Sequence, residues 1–262
     1  MTHSHQKFRP GRIVLPLMAA LAIGALGGRM AAAAEAALAQ NTPAKKAKAK
    51  NDKQGAGFVK LFEGDKDKTW VGYNKDAWPE GWELKDGILH RTGSGGDLQT
   101  VEEYGDFDLR FGWKVSEGGN SGVMYRVSRE KGPAYETGPE YQILDNARHR
   151  DGGSPLTSSA SLYALYAPSK DVVKPAGKWN KARIVVRGNR IQHYLNGEKV
   201  VDAEIGSDDW NKRLAESKFA TWPKFAKNQR GFIVLQDHGD EVWFRNMRVK
   251  RLDNAGDSGA GK

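Results

Sequence analysis

The sequence predicts an all-β fold, an antiparallel β-sandwich of the jelly-roll type. Three observations lead there. Apolar and polar residues alternate with a period of two along several segments, Gly-Asn and Asn-Gly pairs separate β-branched runs, and a single segment carries helical signals. A parallel α/β fold would show strands alternating with helices, and no such alternation is visible.

The clearest strand begins at Phe107. Phe107, Leu109, Phe111, Trp113 and Val115 face one way, and Asp108, Arg110, Gly112 and Lys114 the other. Residues 121–127 set Val123, Tyr125 and Val127 against Gly122, Met124 and Arg126. In 140–146, Tyr141 and Ile143 oppose Glu140 and Gln142, so the polar pair is expected on the outer sheet surface. Residues 181–187 place Ala182, Ile184 and Val186 on one face. Gly188-Asn189 then turns the chain into 191–195, and Asn196-Gly197 turns it into 199–202; both pairs supply the positive φ of tight hairpins. Residues 233–236 and 242–251 read as a closing hairpin around 237–240. The one helix is expected near 208–217, with Ser207 as cap, Asp208 and Asp209 in its first turn, and Trp210 and Leu214 four apart. About ten strands and this helix make one domain over residues 57–252.

The chain before residue 57 reads differently. Residues 1–56 hold nine Lys/Arg against two acids, a charge of +7 out of the total +9. The remainder holds 32 basic and 30 acidic residues, so the folded part lacks the basic footprint of a nucleic-acid binder. All 8 Trp and all 8 Tyr lie after residue 56, which places the core there. Lys7, Arg9 and Arg12, a mostly apolar run over 13–28, and the small residues Ala37 and Ala39 have the three-part form of a secretory signal, expected to span 1–39. An earlier cut in 31–34 is the alternative. The apolar run is shorter than the ~20 residues of a spanning helix, so no stable membrane insertion is expected after cleavage. Residues 40–56 read as a Lys/Ala-rich disordered linker, with a polybasic surface patch as the sharper alternative, and 253–262 as a flexible tail. With no cysteine, a disulfide framework and a Cys-based zinc site are excluded.

Familiar catalytic signatures are missing. The glycine-rich stretches 93–96 and 118–122 do not open a helix after a strand, Ser121 lacks the Gly-x-Ser-x-Gly elbow, and no His-Glu-x-x-His occurs. Long polar side chains recur on the strands instead: Arg126, Glu140, Gln142, His193, Gln236, His238 and Arg245. Gathered on one sheet face, such groups suit sugar hydroxyls. His149 lies in the loop after Asp145-Asn146, and histidine is the usual proton-transfer group near neutrality.

Four stretches together carry a resemblance: 119–126 (Gly-Asn-Ser-Gly-Val-Met-Tyr-Arg), 138–146 (Gly-Pro-Glu-Tyr-Gln-Ile-Leu-Asp-Asn), 194–197 (Tyr-Leu-Asn-Gly) and 235–246 (Leu-Gln-Asp-His-Gly-Asp-Glu-Val-Trp-Phe-Arg-Asn). In this order they resemble the 3-keto-disaccharide hydrolase domain family, over about 195 residues from Phe58 to Leu252. The resemblance implies a concanavalin-like jelly roll, an exported protein and a carbohydrate substrate already oxidised at C3. The positions matching the family's motifs are Asn120, Ser121, Arg126, Glu140, Gln142, Asp145, Asn146, Gln236, His238 and Arg245.

The implied chemistry begins with a 3-keto group that acidifies the hydrogen on C2. Elimination of the C1 substituent and addition of water then give net hydrolysis. Candidates for the base are His149 and His238, for the enolate partner Arg126 and Arg245, and for the acid Glu140 and Asp145. Asn120, Gln142, Asn146, His193 and Gln236 are candidates for substrate binding. No cofactor is required by the sequence; a divalent metal held by Glu140, Asp145 and a histidine is the alternative to an arginine. Two other classes compete: a retaining glucanase on the same fold, disfavoured because the acid between its two carboxylates is here Gln142 and the last position is Asp145, and a non-catalytic carbohydrate-binding module using Trp and Tyr faces.

Overall fold

The computed structural model describes residues 57–252. The expected signal at 1–39, the linker at 40–56 and the tail from 253 lie outside the described residues. In chain order the strands are β1 (Val59–Lys60), β2 (Trp70–Gly72), β3 (Trp82–Lys85), β4 (Ile88–Arg91), β5 (Leu98–Thr100), β6 (Phe107–Val115), β7 (Asn120–Val127), β8 (Glu140–Leu144), β9 (Asn180–Arg187), β10 (Arg190–Leu195), β11 (Glu198–Glu204), β12 (Phe232–Leu235) and β13 (Val242–Arg251). The helix α1 (Asp208–Glu216) lies between β11 and β12, and Ser207 Oγ caps it by accepting from Trp210 N at 3.1 Å.

The strands form two antiparallel sheets, a concanavalin-like jelly-roll sandwich. The larger has the order β11-β10-β9-β6-β13-β4-β3, with β1 on β13; the smaller has the order β2-β5-β12-β7-β8. β6 lays Phe107, Leu109, Phe111, Trp113 and Val115 into the space between the layers, and Val123, Tyr125, Tyr141, Ile143, Ile233 and Leu235 meet them from the smaller sheet. Edge-to-face pairs cross that space: Phe107 with Tyr125 at 6.0 Å and Phe111 with Tyr141 at 5.8 Å between ring centroids. Among the described residues no helix is long and apolar enough to cross a membrane.

The expected closing hairpin is instead a crossover. β12 pairs with β5 and β7 in the smaller sheet, whereas β13 pairs with β6 and β4 in the larger. A turn signal fixes where the chain reverses, not which layer each strand joins.

The outer face of the smaller sheet is covered, and this shapes the site. Residues 158–166 run as a strap along the otherwise free edge of β8. Ala160 N donates to Gln142 O (2.8 Å), Gln142 N to Ser161 O (3.3 Å) and Tyr163 N to Glu140 O (3.1 Å). The strap satisfies the edge strand's backbone and blocks further strand addition. A second segment around 217–226 is tied to 134–138 by Ala226 N donating to Thr137 O at 2.9 Å. Phe219 and Phe225 stack at 3.9 Å within it.

Candidate active site

Under these two segments lies a pocket of about 230 Å³. Its floor is the outer face of β7 and β8, where Asn120, Glu140 and Gln142 stand, all buried. Gln236 and His238 enter from the crossover, Tyr135 and Gly138 from the loop before β8, Tyr163 from the strap, and Lys218, Phe219 and Phe225 from the second segment. The volume lies below the ~300–1,000 Å³ of sites for drug-sized ligands and suits a compact ring.

Glu140 is the chemically distinctive group. The period of two put it on the outer face, and it is there, but 8% exposed rather than solvated. Its carboxyl leans along the sheet onto Gly122 of β7, where a Cβ would be 2.0 Å from Oε1. No side-chain hydrogen bond or ion pair to another described residue compensates its charge. Burial, opposed by Lys218 and reinforced by the negative charges of Asp97 and Asp151, pushes its pKa up to about 8. Glu140 therefore holds its proton at neutral pH.

Around it, Tyr163 directs its hydroxyl to Asp151 Oδ2 at 3.4 Å, and burial beside these carboxylates raises the phenol to about 12. Lys218 holds its ammonium 4.4 Å from the Tyr163 ring centroid, with Phe219 and Trp222 at 5.3 and 5.7 Å. Burial lowers its pKa, though part of the side chain stays in solvent at the rim. His238 sits at the mouth with Nε2 3.4 Å from Asn120 Nδ2, a long contact that a ligand can replace. Asn120 Oδ1 is buried with no hydrogen-bond partner. The His149 ring meets His238 edge-on, with centroids 6.2 Å apart. His149 Nδ1 accepts from Asp151 N at 3.1 Å, so its neutral ring carries the proton on Nε2 and acts as a donor.

The crossover that carries Gln236 and His238 is fixed through the residue between them. The Asp237 carboxylate accepts from Gly95 N (3.1 Å), Gly96 N (2.9 Å) and Arg91 Nε of β4, and Arg91 Nη1 reaches Gly239 O at 2.6 Å. Asp237 N in turn donates to Asp97 Oδ1 at 2.9 Å. Burial, with Asp237 nearby, raises Asp97 to about 6.

The structure thus brings together Asn120, Glu140, Gln142, Gln236 and His238, with His149 beside them. Other sequence candidates stand elsewhere. Arg126 is buried at a bulge with φ 53°, and gives Nε to Gly105 O (3.2 Å) and Nη2 to Asp106 Oδ1 (3.1 Å). Arg245 lies on the other sheet, its guanidinium 4.0 Å over the Trp179 ring. His193 faces the core rather than a polar surface: it shares the inward face of β10 with Ile191 and Leu195, and is fully buried. Its Nδ1 is 3.1 Å from Ala160 O and its Nε2 2.9 Å from Tyr125 OH, and burial lowers its pKa to about 4.

Asp145 and Asn146 serve loop structure beyond the end of β8. The Asp145 carboxylate accepts from Gly118 N (2.8 Å) and Ala147 N (3.2 Å), and Asn146 Oδ1 from Ser159 N (2.8 Å). Both line a separate cleft of about 590 Å³, together with Pro168, Asp171 and Lys174. Ser121 turns inward and donates to Gln236 O at 2.9 Å. Glu140, Asp145 and a histidine therefore do not converge as a ligand set, and among the described residues no three His, Asp or Glu side chains form a metal cluster. Sequence reasoning missed Asp151, Tyr163 and Lys218. They sit in segments without strand periodicity, and the signal they offered was the run of aromatics at Phe219, Trp222 and Phe225 beside a lysine.

Comparison with known proteins agrees with this architecture. Residues 57–250 match the family described as the 3-keto-alpha-glucoside-1,2-lyase-like domain. A 3-keto-disaccharide hydrolase of Bacteroides thetaiotaomicron is 38% identical over 229 residues, covering 75% of this chain and 79% of that protein. Two crystal structures of proposed glycosyl hydrolases from Parabacteroides distasonis are also similar. One has a TM-score of 0.69 at 31% identity over 76% of this chain and 96% of that one. The other has a TM-score of 0.59 at 28% identity over 74% and 99%.

Proposed function

The chain belongs to the 3-keto-alpha-glucoside-1,2-lyase-like family, and on that premise we propose that it is an exported glycoside-cleaving enzyme acting on 3-keto-glycosides. The observation that carries the mechanism is Glu140: a carboxyl held neutral by burial, on the floor of a pocket whose mouth carries His238. The pair puts a candidate acid and a candidate base on one pocket.

In this reading His238 removes the C2 hydrogen of the 3-keto sugar, and the electrons move into the C2–C3 bond and onto the ketone oxygen. The enolate then expels the C1 substituent, whose oxygen takes the proton of Glu140, leaving a C1–C2 double bond conjugated with the ketone. Water adds at C1 and a proton returns to C2, completing net hydrolysis. The elimination half is a lyase step and the sum is a hydrolysis, which reconciles the two names in the family. Asn120, Gln142 and Gln236 offer amide donors and acceptors to sugar hydroxyls. A retaining glucanase needs two carboxyls about 5–5.5 Å apart; the outward positions of β8 are Glu140, Gln142 and Leu144, a single carboxyl.

The test is incubation with paired 3-keto and unoxidised α-glucosides in deuterated water, followed by mass spectrometry. Release of the leaving group from the 3-keto member alone, with one deuterium at C2, is the expected result. Comparable cleavage of the unoxidised glucoside overturns the reading. Export rests on the N-terminal signal pattern, and the secreted protein is expected to begin at Gln40; a secreted or membrane-bound form beginning at Met1 overturns that part.

A further inference from the structure

Enolate chemistry needs a positive or strongly donating group where negative charge collects on the ketone oxygen. The two arginines that the sequence offers for this are committed elsewhere, Arg126 to Gly105 and Asp106, and Arg245 to Trp179. Among the residues lining the pocket, one carries a Lys or Arg side chain: Lys218.

Its setting is unusual for a surface lysine. On a residue exposed at the rim, the ammonium lies against the rings of Tyr163, Phe219 and Trp222, at 4.4, 5.3 and 5.7 Å from their centroids. It makes no hydrogen bond and no ion pair within 4.0 Å to any described residue. Ring faces hold a cation in place by their quadrupoles without supplying a strong acceptor for its N–H groups. The carrier is firm as well. Lys218 opens a short turn capped by Ser217 Oγ, which accepts from Phe219 N at 3.1 Å, and Phe219 is locked by its 3.9 Å stack on Phe225. The site therefore presents a positioned cation with unspent donors beside a neutral acid.

We infer that Lys218 receives the 3-keto oxygen and stabilises the enolate that forms on it, so that this residue tells a 3-keto-glycoside from its parent. The inference deepens the proposed function and rests on it. A parent glycoside offers a hydroxyl at the same position, which never becomes an anion. The interaction with Lys218 then strengthens only as C2 is deprotonated, which is where binding energy raises turnover rather than affinity. The ammonium also has to stay clear of Glu140 for the acid to keep its proton; the two groups interact through space, with no bond between them.

The experiment uses the full chain, with Lys218→Met and Lys218→Arg beside the unmodified protein. Methionine keeps the length and ring contacts and removes the charge. With a 3-keto-α-glucoside, Lys218→Met is expected to lower kcat at least ~10²-fold, the scale of losing one oxyanion donor, while KM moves less than about threefold. Exchange of the C2 hydrogen of 3-keto-glucose in deuterated water, followed by NMR, should fall in parallel. Lys218→Arg should recover part of both, and melting temperatures should stay together. An unmodified protein that cleaves the 3-keto-glucoside and a Lys218→Met variant within threefold of it overturn the role of Lys218 alone. A variant that raises only KM, or loses rate only as its melting temperature falls, does the same. An unmodified protein that leaves the 3-keto-glucoside intact overturns the underlying function, and this role with it.

Discussion

The Glu140 carboxyl rests on the Cα of Gly122, so close that a methyl group on Gly122 would lie 2.0 Å from Oε1. The register makes this contact: Gly122 is the residue opposite Gln142 in the β7–β8 ladder, and the Glu140 side chain leans along the strand into the gap that glycine leaves. The acid owes its place on the pocket floor to an absent side chain on the neighbouring strand.

Gly122→Ala is therefore expected to displace the carboxyl from the floor of the pocket. Turnover of a 3-keto-glycoside should fall by at least ~10²-fold, the low end of what a positioned acid or base contributes. Circular dichroism should remain that of a β-sandwich, because the clash is with a side chain that can swing into the pocket. Kinetics near those of the unmodified protein would show that the placement does not matter.

Glu140→Gln is expected to separate function from stability in opposite directions. Glutamine keeps the shape and cannot give up a proton, so activity should drop at least ~10²-fold. The folded-state pKa of Glu140 is about 8 against an ordinary 4.5, so the folded chain binds the extra proton between those values. The stability linked to Glu140 is fully present below pH 4.5 and is lost as pH rises toward 8. The variant should accordingly melt at a higher temperature than the unmodified protein at pH 8, with the gap closing near pH 4.5. A gap independent of pH would place the Glu140 pKa at its ordinary value.

His193 should impose the opposite slope. Burial takes its pKa from 6.5 to about 4, so the unfolded chain binds the extra proton. Its linked stability is full above pH 6.5 and is lost as pH falls through that window. His193→Phe removes this acid sensitivity, but leaves Tyr125 OH and Ala160 O without their partner, a cost of about 1–3 kcal/mol for each buried group. The variant is expected to melt several degrees lower at pH 7 and to lose less on acidification, both read by calorimetry. A pH 7 melting temperature equal to that of the unmodified protein would remove His193 from the core network.

The two histidines beside the pocket should differ. His149→Ala removes a ring whose Nδ1 already caps the turn at Asp151, whereas His238→Ala removes a group that lines the pocket. His238→Ala is expected to abolish deuterium incorporation at C2, and His149→Ala to leave it measurable. The reverse order would assign the base to His149.

Much of the local structure was legible because it is written locally. The period of two at 107–115, the turns at Gly188-Asn189 and Asn196-Gly197, and the Ser207 cap each depend on a few adjacent residues. The inward face of His193 is written in the same parity, since Ile191 and Leu195 flank it two residues away on either side. Layer membership was not legible. That 233–236 and 242–251 enter different sheets depends on partners far away in the chain. Nor was the burial of Glu140, because its cover comes from the strap and from the segment around Lys218, neither of which has strand periodicity. The site was half visible for that reason: its floor is strand, its roof is not.

Asp237 joins the layers much as a rivet joins two plates. It stands between Gln236 and His238 while its carboxylate engages Arg91 of β4 on the opposite sheet. The relative position of His238 and Glu140 is then set by the alignment of one whole layer against the other. Substitutions deep in the sandwich, far from any substrate, that let the layers slip by a fraction of an ångström would blunt the chemistry while the chain still folds, so loss of turnover should be the earliest symptom of a loosened core.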